Sequence, residues 1–144
     1  MIIKNFSKKR DLEYLKSTFI DLYKFNGLKI SKKDIPKIEE NILLCIGKKY
    51  HKVFVGFVKN KPIGFMEVTI QKYDKQKKVV IRKIYINEKE RKKGYSKLLI
   101  NKAKEFAQQY NIDEINLNTF PINYQIYKKL GFEPVSYWME LKIK

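Results

Sequence analysis

Cysteine and histidine are nearly missing from this 144-residue chain: Cys45 and His51 each stand alone of their kind. A single cysteine excludes an internal disulfide. With one histidine there is no Cys/His zinc cluster to be read from spacing, so no metal is expected. Arginine is scarce as well. Of 32 basic residues, only Arg10, Arg82 and Arg91 carry a guanidinium, and the rest are lysine. Proteins that read base edges rely on the planar arginine fork, so specific nucleic-acid recognition is not expected. Acidic residues number 15, which leaves a net charge of +17. The lysines are spread along the whole chain, and they read as a solvated surface that attracts polyanions in a salt-dependent way. No apolar run approaches the ~20 residues of a membrane span. The start, Met1-Ile2-Ile3-Lys4-Asn5, lacks the apolar stretch of a signal peptide. A cytoplasmic protein without membrane association is therefore expected. What is abundant is core material: 44% hydrophobic and 14% aromatic residues. With no linker, repeat or low-complexity tract, residues 1–144 are expected to form one domain, as a monomer or homodimer.

The apolar spacing sets the order of elements. Residues 2–5 read as a short strand. Leu12, Leu15, Phe19 and Leu22 share a helical stripe within Lys9–Phe25, and Asn26-Gly27 supplies a stop. Ser31 is the expected N-cap of a second helix from about Lys32 to Ile46, with Ile35, Ile38, Ile42 and Cys45 inward and Pro36 in its early turns. Three strands follow, Lys52–Val58, Ile63–Gln71 and Val79–Ile86, as an antiparallel meander. Ser96–Tyr110 is the clearest helix, its inner face Leu99, Ala103, Phe106 and Tyr110. Ile115–Asn118 is a short strand, and a strand–helix–strand order requires a crossover to a parallel partner. Asn123–Leu130 reads as a two-turn helix, with Ile126 and Leu130 inward and Gly131 closing it. Val135, Tyr137, Met139, Leu141 and Ile143 alternate with polar neighbours and read as a last strand. The expected fold is mixed α/β, α+β-like: a mostly antiparallel central sheet with one parallel pair, flanked by helices on both faces.

Two segments carry chemistry. Ile86–Ser96 joins a buried strand to the best helix. A loop there, with Gly94 free in its dihedrals, turns backbone N–H groups toward one point at a positive helix end. With Arg91, Lys92 and Lys93 it makes a phosphate cradle. It lacks both the Walker pattern and G-x-G-x-x-G, which removes nucleoside triphosphate and dinucleotide readings. The second segment is Asn123-Tyr124-Gln125-Ile126-Tyr127-Lys128-Lys129-Leu130-Gly131-Phe132, with Tyr127 toward the helix edge.

Together these segments resemble the GNAT superfamily of acetyl-coenzyme A-dependent N-acetyltransferases. Arg91-Lys92-Lys93-Gly94-Tyr95-Ser96 is similar to that family's [Q/R]-x-x-G-x-[G/A] signature, after a strand ending Ile84-Tyr85-Ile86. Asn123, Tyr127, Lys129, Gly131 and Phe132 resemble its C-terminal pattern. The first 50 residues fit only as element order. Ser96 stands where glycine or alanine is usual, Lys92 replaces a frequent glycine, and Arg82 and Lys83 occupy a stretch where many relatives place an acidic residue. No long hairpin is expected after Phe132.

The resemblance implies acetyl transfer from acetyl-CoA, used as co-substrate, to an amine acceptor. It implies a pyrophosphate on the N–H groups of Arg91, Lys92, Lys93, Gly94, Tyr95 and Ser96, and a pantetheine arm along Ile84, Tyr85 and Ile86. It further implies Asn123 hydrogen-bonding that arm and Tyr127 as general acid. Glu67, mid-strand in the meander, is the best-placed carboxylate for a base, with Glu140, Glu39 or ordered water as alternatives. His51 and Cys45 show no sequence partners that would make a nucleophile. The competing expectation is a non-catalytic acetyl-CoA-binding or nucleic-acid-associated module.

Overall fold

The computed structural model describes residues 1–136 and 139–144. It contains five strands, β1 (Ile2–Asn5), β2 (His51–Val58), β3 (Lys61–Tyr73), β4 (Gln76–Ile86) and β5 (Ile115–Leu117). Its helices are α1 (Lys8–Phe25), α2 (Ile35–Leu43), α3 (Tyr95–Gln109) and α4 (Tyr124–Lys129), with short 3₁₀ turns at Glu88–Glu90 and Pro121–Asn123. The sheet runs in chain order, β1-β2-β3-β4-β5. The first four strands are antiparallel neighbours, and β5 lies parallel to β4. This is the mixed sheet that the patterns imply. No described helix is long and apolar enough to cross a membrane.

Alternation along the strands divides the core in two. Val53, Val55, Phe57 and Phe65 face α1 and α2, meeting Leu12, Leu15, Phe19, Ile38, Ile42 and Cys45. Phe54, Met66, Val68, Val79, Ile81 and Ile86 face α3, meeting Leu99, Ile100, Ala103, Phe106 and Ala107. Helices thus cover both faces. The hairpins are tighter and the strands longer than the apolar runs suggest. Lys59 and Asn60 adopt positive φ (50° and 62°), as does Asp74 (44°), so two-residue turns suffice and the charged flanks join the ladder.

Four local expectations are corrected. The second helix begins at Ile35 rather than Lys32, with Asp34 as N-cap. A start at Lys32 would need Pro36 to donate a helical hydrogen bond to the Lys32 carbonyl, and proline has no N–H. Ser31 instead turns its N–H and hydroxyl onto Asp34 Oδ2, at 2.8 and 3.1 Å. Cys45 falls beyond that helix, in the turns that follow it. Ile126 is exposed, because α4 turns the line of Asn123, Tyr127 and Leu130 inward instead. The last strand is not formed at the described residues: 133–136 and 139–144 pair with nothing, and Val135, Met139, Leu141 and Ile143 are 83–94% exposed. Tyr137 and Trp138 of that expectation lie outside the described residues. Alternation specifies two faces, but a strand exists only where an edge accepts it, and β5 offers three residues.

Candidate active site

Strand β4 has two halves. Val79, Val80 and Ile81 are bonded to β3 on one side and to Ile115, Asn116 and Leu117 on the other. The parallel ladder then stops. In the antiparallel register Glu67 opposes Lys83 and Val68 opposes Ile81, so Arg82 is the extra residue of a β-bulge. A bulge bends its strand and increases local twist, which carries Arg82–Ile86 away from β5. From Arg82 onward β4 keeps β3 but, among the described residues, pairs with nothing on its outer edge. Ile84 packs toward α3 and Tyr85 toward α1, so this edge is held from both faces.

The loop after β4 is fixed at its base. Asn87 donates its backbone N–H to the Ile63 carbonyl at 2.7 Å and its amide to the Pro62 carbonyl at 3.4 Å. Tyr14 of α1 donates its hydroxyl to Asn87 Oδ1 at 2.7 Å. Arg91 folds back, donating Nε to the Ile86 carbonyl at 3.0 Å with its guanidinium 5.5 Å from the Tyr85 ring centroid. Lys93 pairs with Glu90 at 2.8 Å, whereas Lys92 makes no ion pair among the described residues. Lys92 (φ 63°) and Gly94 (φ 81°) both take left-handed dihedrals. Gly94 is the N-cap of α3, and no side chain caps that helix and no acid sits in its first turn. The first N–H groups of a 15-residue helix are therefore left to an outside acceptor. Tyr95 and Ser96 begin the helix half-buried.

Asn123 and Tyr127 lie on α4, which ends in a Schellman closure: Phe132 N–H to Tyr127 carbonyl and Gly131 N–H to Lys128 carbonyl, each 3.0 Å. This closure folds Phe132 onto Tyr127, edge to face at 5.9 Å between ring centroids. Leu130 and Phe132 pack on the α3-side core. The Tyr127 hydroxyl makes no hydrogen bond among the described residues, and burial pushes its phenol pKa up.

Glu67 is not the solvent-facing strand residue that alternation permits. It is 6% exposed, on the α1/α2 face, at the centre of a polar cluster. Lys83 donates to its Oε1 at 3.2 Å, His51 Nε2 lies 2.8 Å from its Oε2, and Arg82 Nε is 4.0 Å from Oε2. Cys45 Sγ lies 3.1 Å from the same His51 nitrogen. Burial pushes the Glu67 carboxyl up, but the hydrogen bond with His51 and the charge of Lys83 outweigh it, and the net shift is downward. Burial first, and then the Glu67 charge, raise Cys45 to about 11, so it remains a thiol at neutral pH. Glu67 also meets the imidazole at Nε2 rather than at Nδ1, so no relay orients His51 toward the sulfur. Cys45 is not a nucleophile here. Cys45 and His51 come from different elements, and their proximity was invisible in sequence. Tyr14 and Asn87 were missed for the same reason.

A family model described as the acetyltransferase (GNAT) family matches residues 17–132. The chain belongs to the GNAT acetyltransferase family. No curated protein matches it. Among solved structures, a predicted acetyltransferase with acetyl-CoA from Clostridium acetobutylicum superposes with TM-score 0.80 at 17% identity, covering 99% of this chain and 96% of that one. An aminoglycoside antibiotic 6'-N-acetyltransferase from Acinetobacter haemolyticus gives TM-score 0.79 at 18% identity over 100% and 99%. A structure described as a transcriptional regulator from Bacillus halodurans gives 0.84 at 17% identity over 99% of each chain. At such identities the GNAT fold is what is shared, and the chemistry must be argued from this chain's residues.

Proposed function

We propose that this chain transfers an acetyl group from acetyl-CoA to a primary amine by direct attack on the thioester, the amine belonging to a small molecule or to a protein or peptide. One observation carries the reading: the free edge of Arg82–Ile86 runs directly into a loop that ends at an uncapped helix N-terminus. A ligand with amides at one end and a pyrophosphate at the other suits that pairing. Pantetheine amides add to a strand edge as a peptide does, and the pyrophosphate meets the N–H groups of residues 94–96. Arg91 braces the loop through Ile86 and Tyr85, and Lys92, without an ion pair among the described residues, can approach the phosphates. Asn123 serves the arm from α4.

The roles follow from the environments. A strand N–H near Ile84 polarises the thioester carbonyl, and the neutral amine forms the new C–N bond there as the C–S bond breaks. Tyr127, protonated throughout the neutral range, gives its proton to the departing sulfur and recovers one from solvent. Glu67 remains a carboxylate and accepts the amine's proton, with partly exposed His51 between it and water. Tyr127 belongs to the α3 side and Glu67 to the α1/α2 side, so acid and base approach from opposite faces of the sheet.

The test is thiol release from acetyl-CoA against polyamines, aminoglycosides, amino acids and peptide N-termini, repeated with Tyr127→Phe. At least one acceptor should release thiol with the parent. In the variant, kcat should fall about 10²–10³-fold with KM for acetyl-CoA nearly constant, the pattern of an interaction made in the transition state. Saturable acetyl-CoA binding with no thiol release from any acceptor would favour the binding-module reading. An unchanged kcat in Tyr127→Phe would make that residue a packing group.

A further inference from the structure

We propose that Cys45, His51 and Glu67 form a zinc-binding site that shares Glu67 with the transfer site, so that bound zinc withdraws this carboxylate from its proposed role as base. The three come from separate elements: the turns after α2, the first residue of β2 and the middle of β3. Their ligand atoms, Cys45 Sγ, His51 Nε2 and Glu67 Oε2, all lie within 4.8 Å of one another. Cys45 and Glu67 are each 6% exposed, and His51 is partly open to solvent. Thiolate, imidazole and carboxylate are the donor set zinc prefers, three protein ligands with a fourth position left for water.

The cluster is poorly served by hydrogen bonds alone. His51 Nε2 stands 3.1 Å from the sulfur and 2.8 Å from the carboxylate oxygen. If Nε2 carries a proton, two lone-pair-bearing atoms share it. If it does not, its own lone pair faces that of Oε2. One cation at the point of convergence satisfies all three donors. Donor atoms sharing a tetrahedral zinc stand roughly 3.3–3.6 Å apart, from metal–ligand lengths of about 2.0–2.3 Å. The two spacings to His51 need to widen by a few tenths of an ångström, and Cys45 Sγ and Glu67 Oε2, within 4.8 Å of each other, must close to about 3.5 Å.

The surroundings suit the ion. Glu67 divides its oxygens: Lys83 holds Oε1 at 3.2 Å, which leaves Oε2 facing His51. A carboxylate fixed by an outer partner is the usual condition of a metal ligand. Binding releases the Cys45 proton to water, and the resulting thiolate and the Glu67 carboxylate cancel the two charges of the zinc, with Lys83, Lys48 and Arg82 as nearby positive charges. Thr69, the cross-strand partner of His51, has a buried hydroxyl with no protein partner among the described residues. A metal-bound water would provide one. Neither Mg²⁺ nor Ca²⁺ fits, since both require oxygen ligands.

The experiment uses untagged, full-length protein titrated with Co²⁺ alone and then with Zn²⁺ as competitor. Tetrahedral ligand-field bands and a thiolate-to-cobalt charge-transfer band should grow to one equivalent and vanish as zinc displaces cobalt. Cys45→Ser and His51→Ala should each lower affinity at least about tenfold, a loss seen even for outer-shell partners. Circular dichroism of each variant without metal establishes its fold, and the near-isosteric Cys45→Ser serves if His51→Ala does not fold. No charge-transfer band in the parent, or parental affinity in a folded Cys45→Ser, overturns the proposal. The readout involves no acetyl transfer, so its failure is separable from failure of the proposed enzyme activity.

Discussion

The two halves of β4 share one strand and one antiparallel neighbour, yet they do opposite work. At Val79–Ile81 every edge is occupied, and Val79 and Ile81 are buried. At Arg82–Ile86 a single extra residue bends the strand off its parallel partner, and an edge is left that no described residue pairs with. Regular pairing builds the core, and the interruption of pairing leaves the edge at which we propose that acetyl-CoA adds. Edge strands in a sheet are normally blunted because they recruit other chains. Here the open edge is short, flanked by the loop from Asn87 to Gly94, and shaped for something other than a strand.

Ile81→Ala breaks the paired half. It removes a residue at 4% exposure between β3 and β5, and a loss of about 2–5 kcal/mol of stability is expected, measured by denaturant unfolding. The folded fraction should bind acetyl-CoA with parental affinity, because the open edge is untouched. Gly94→Val attacks the other half. A Cβ there meets nothing within 4 Å, so the penalty lies in the backbone: valine disfavours φ 81°. The strain of about 1–3 kcal/mol should appear as a roughly ten- to hundredfold loss of acetyl-CoA affinity in calorimetry, with the melting temperature little changed. Parental affinity in folded Gly94→Val would detach the loop from the site.

The signatures on either side of the open half were legible in the sequence because each is local. Gly94 and Ser96 mark a loop turning into a helix, and Gly131-Phe132 marks a Schellman end; both recur as short strings. The surroundings of Glu67 were not legible. They depend on a bulge at Arg82 and on side chains from three other elements, and none of that has a period. Alternation also overstated the C-terminal segment, since Met139, Leu141 and Ile143 carry a strand's pattern without an edge to pair with among the described residues. Pro36 shows the reverse case, a single residue whose missing N–H moved a helix boundary that propensity alone placed too early.

A smaller effect sharpens the contrast at the bulge itself. Lys83→Met removes a charge and a hydrogen bond that lower Glu67, and burial, the largest influence on it, is then opposed chiefly by His51. In the parent, the carboxyl is depressed in the folded state. Its contribution to stability is present above the unfolded value of about 4.3 and is lost as pH falls through the folded value. In Lys83→Met that contribution shrinks, because less opposes the burial of the charged form. Unfolding across pH should show the variant weakest relative to the parent near neutrality, with the gap closing below about pH 4. The acid limb of kcat should move upward.

Backbone amide NMR shifts, followed while acetyl-CoA is added to isotopically labelled protein, test the division of β4 directly. Amides at the open edge within residues 82–86, and those of Gly94, Tyr95 and Ser96, should shift together to saturation, while Val79, Val80 and Ile81 stay in place. Shifts confined to other surfaces, or a saturating ligand that leaves 82–86 and 94–96 unmoved, would contradict the assignment of the open half as the acetyl-CoA site.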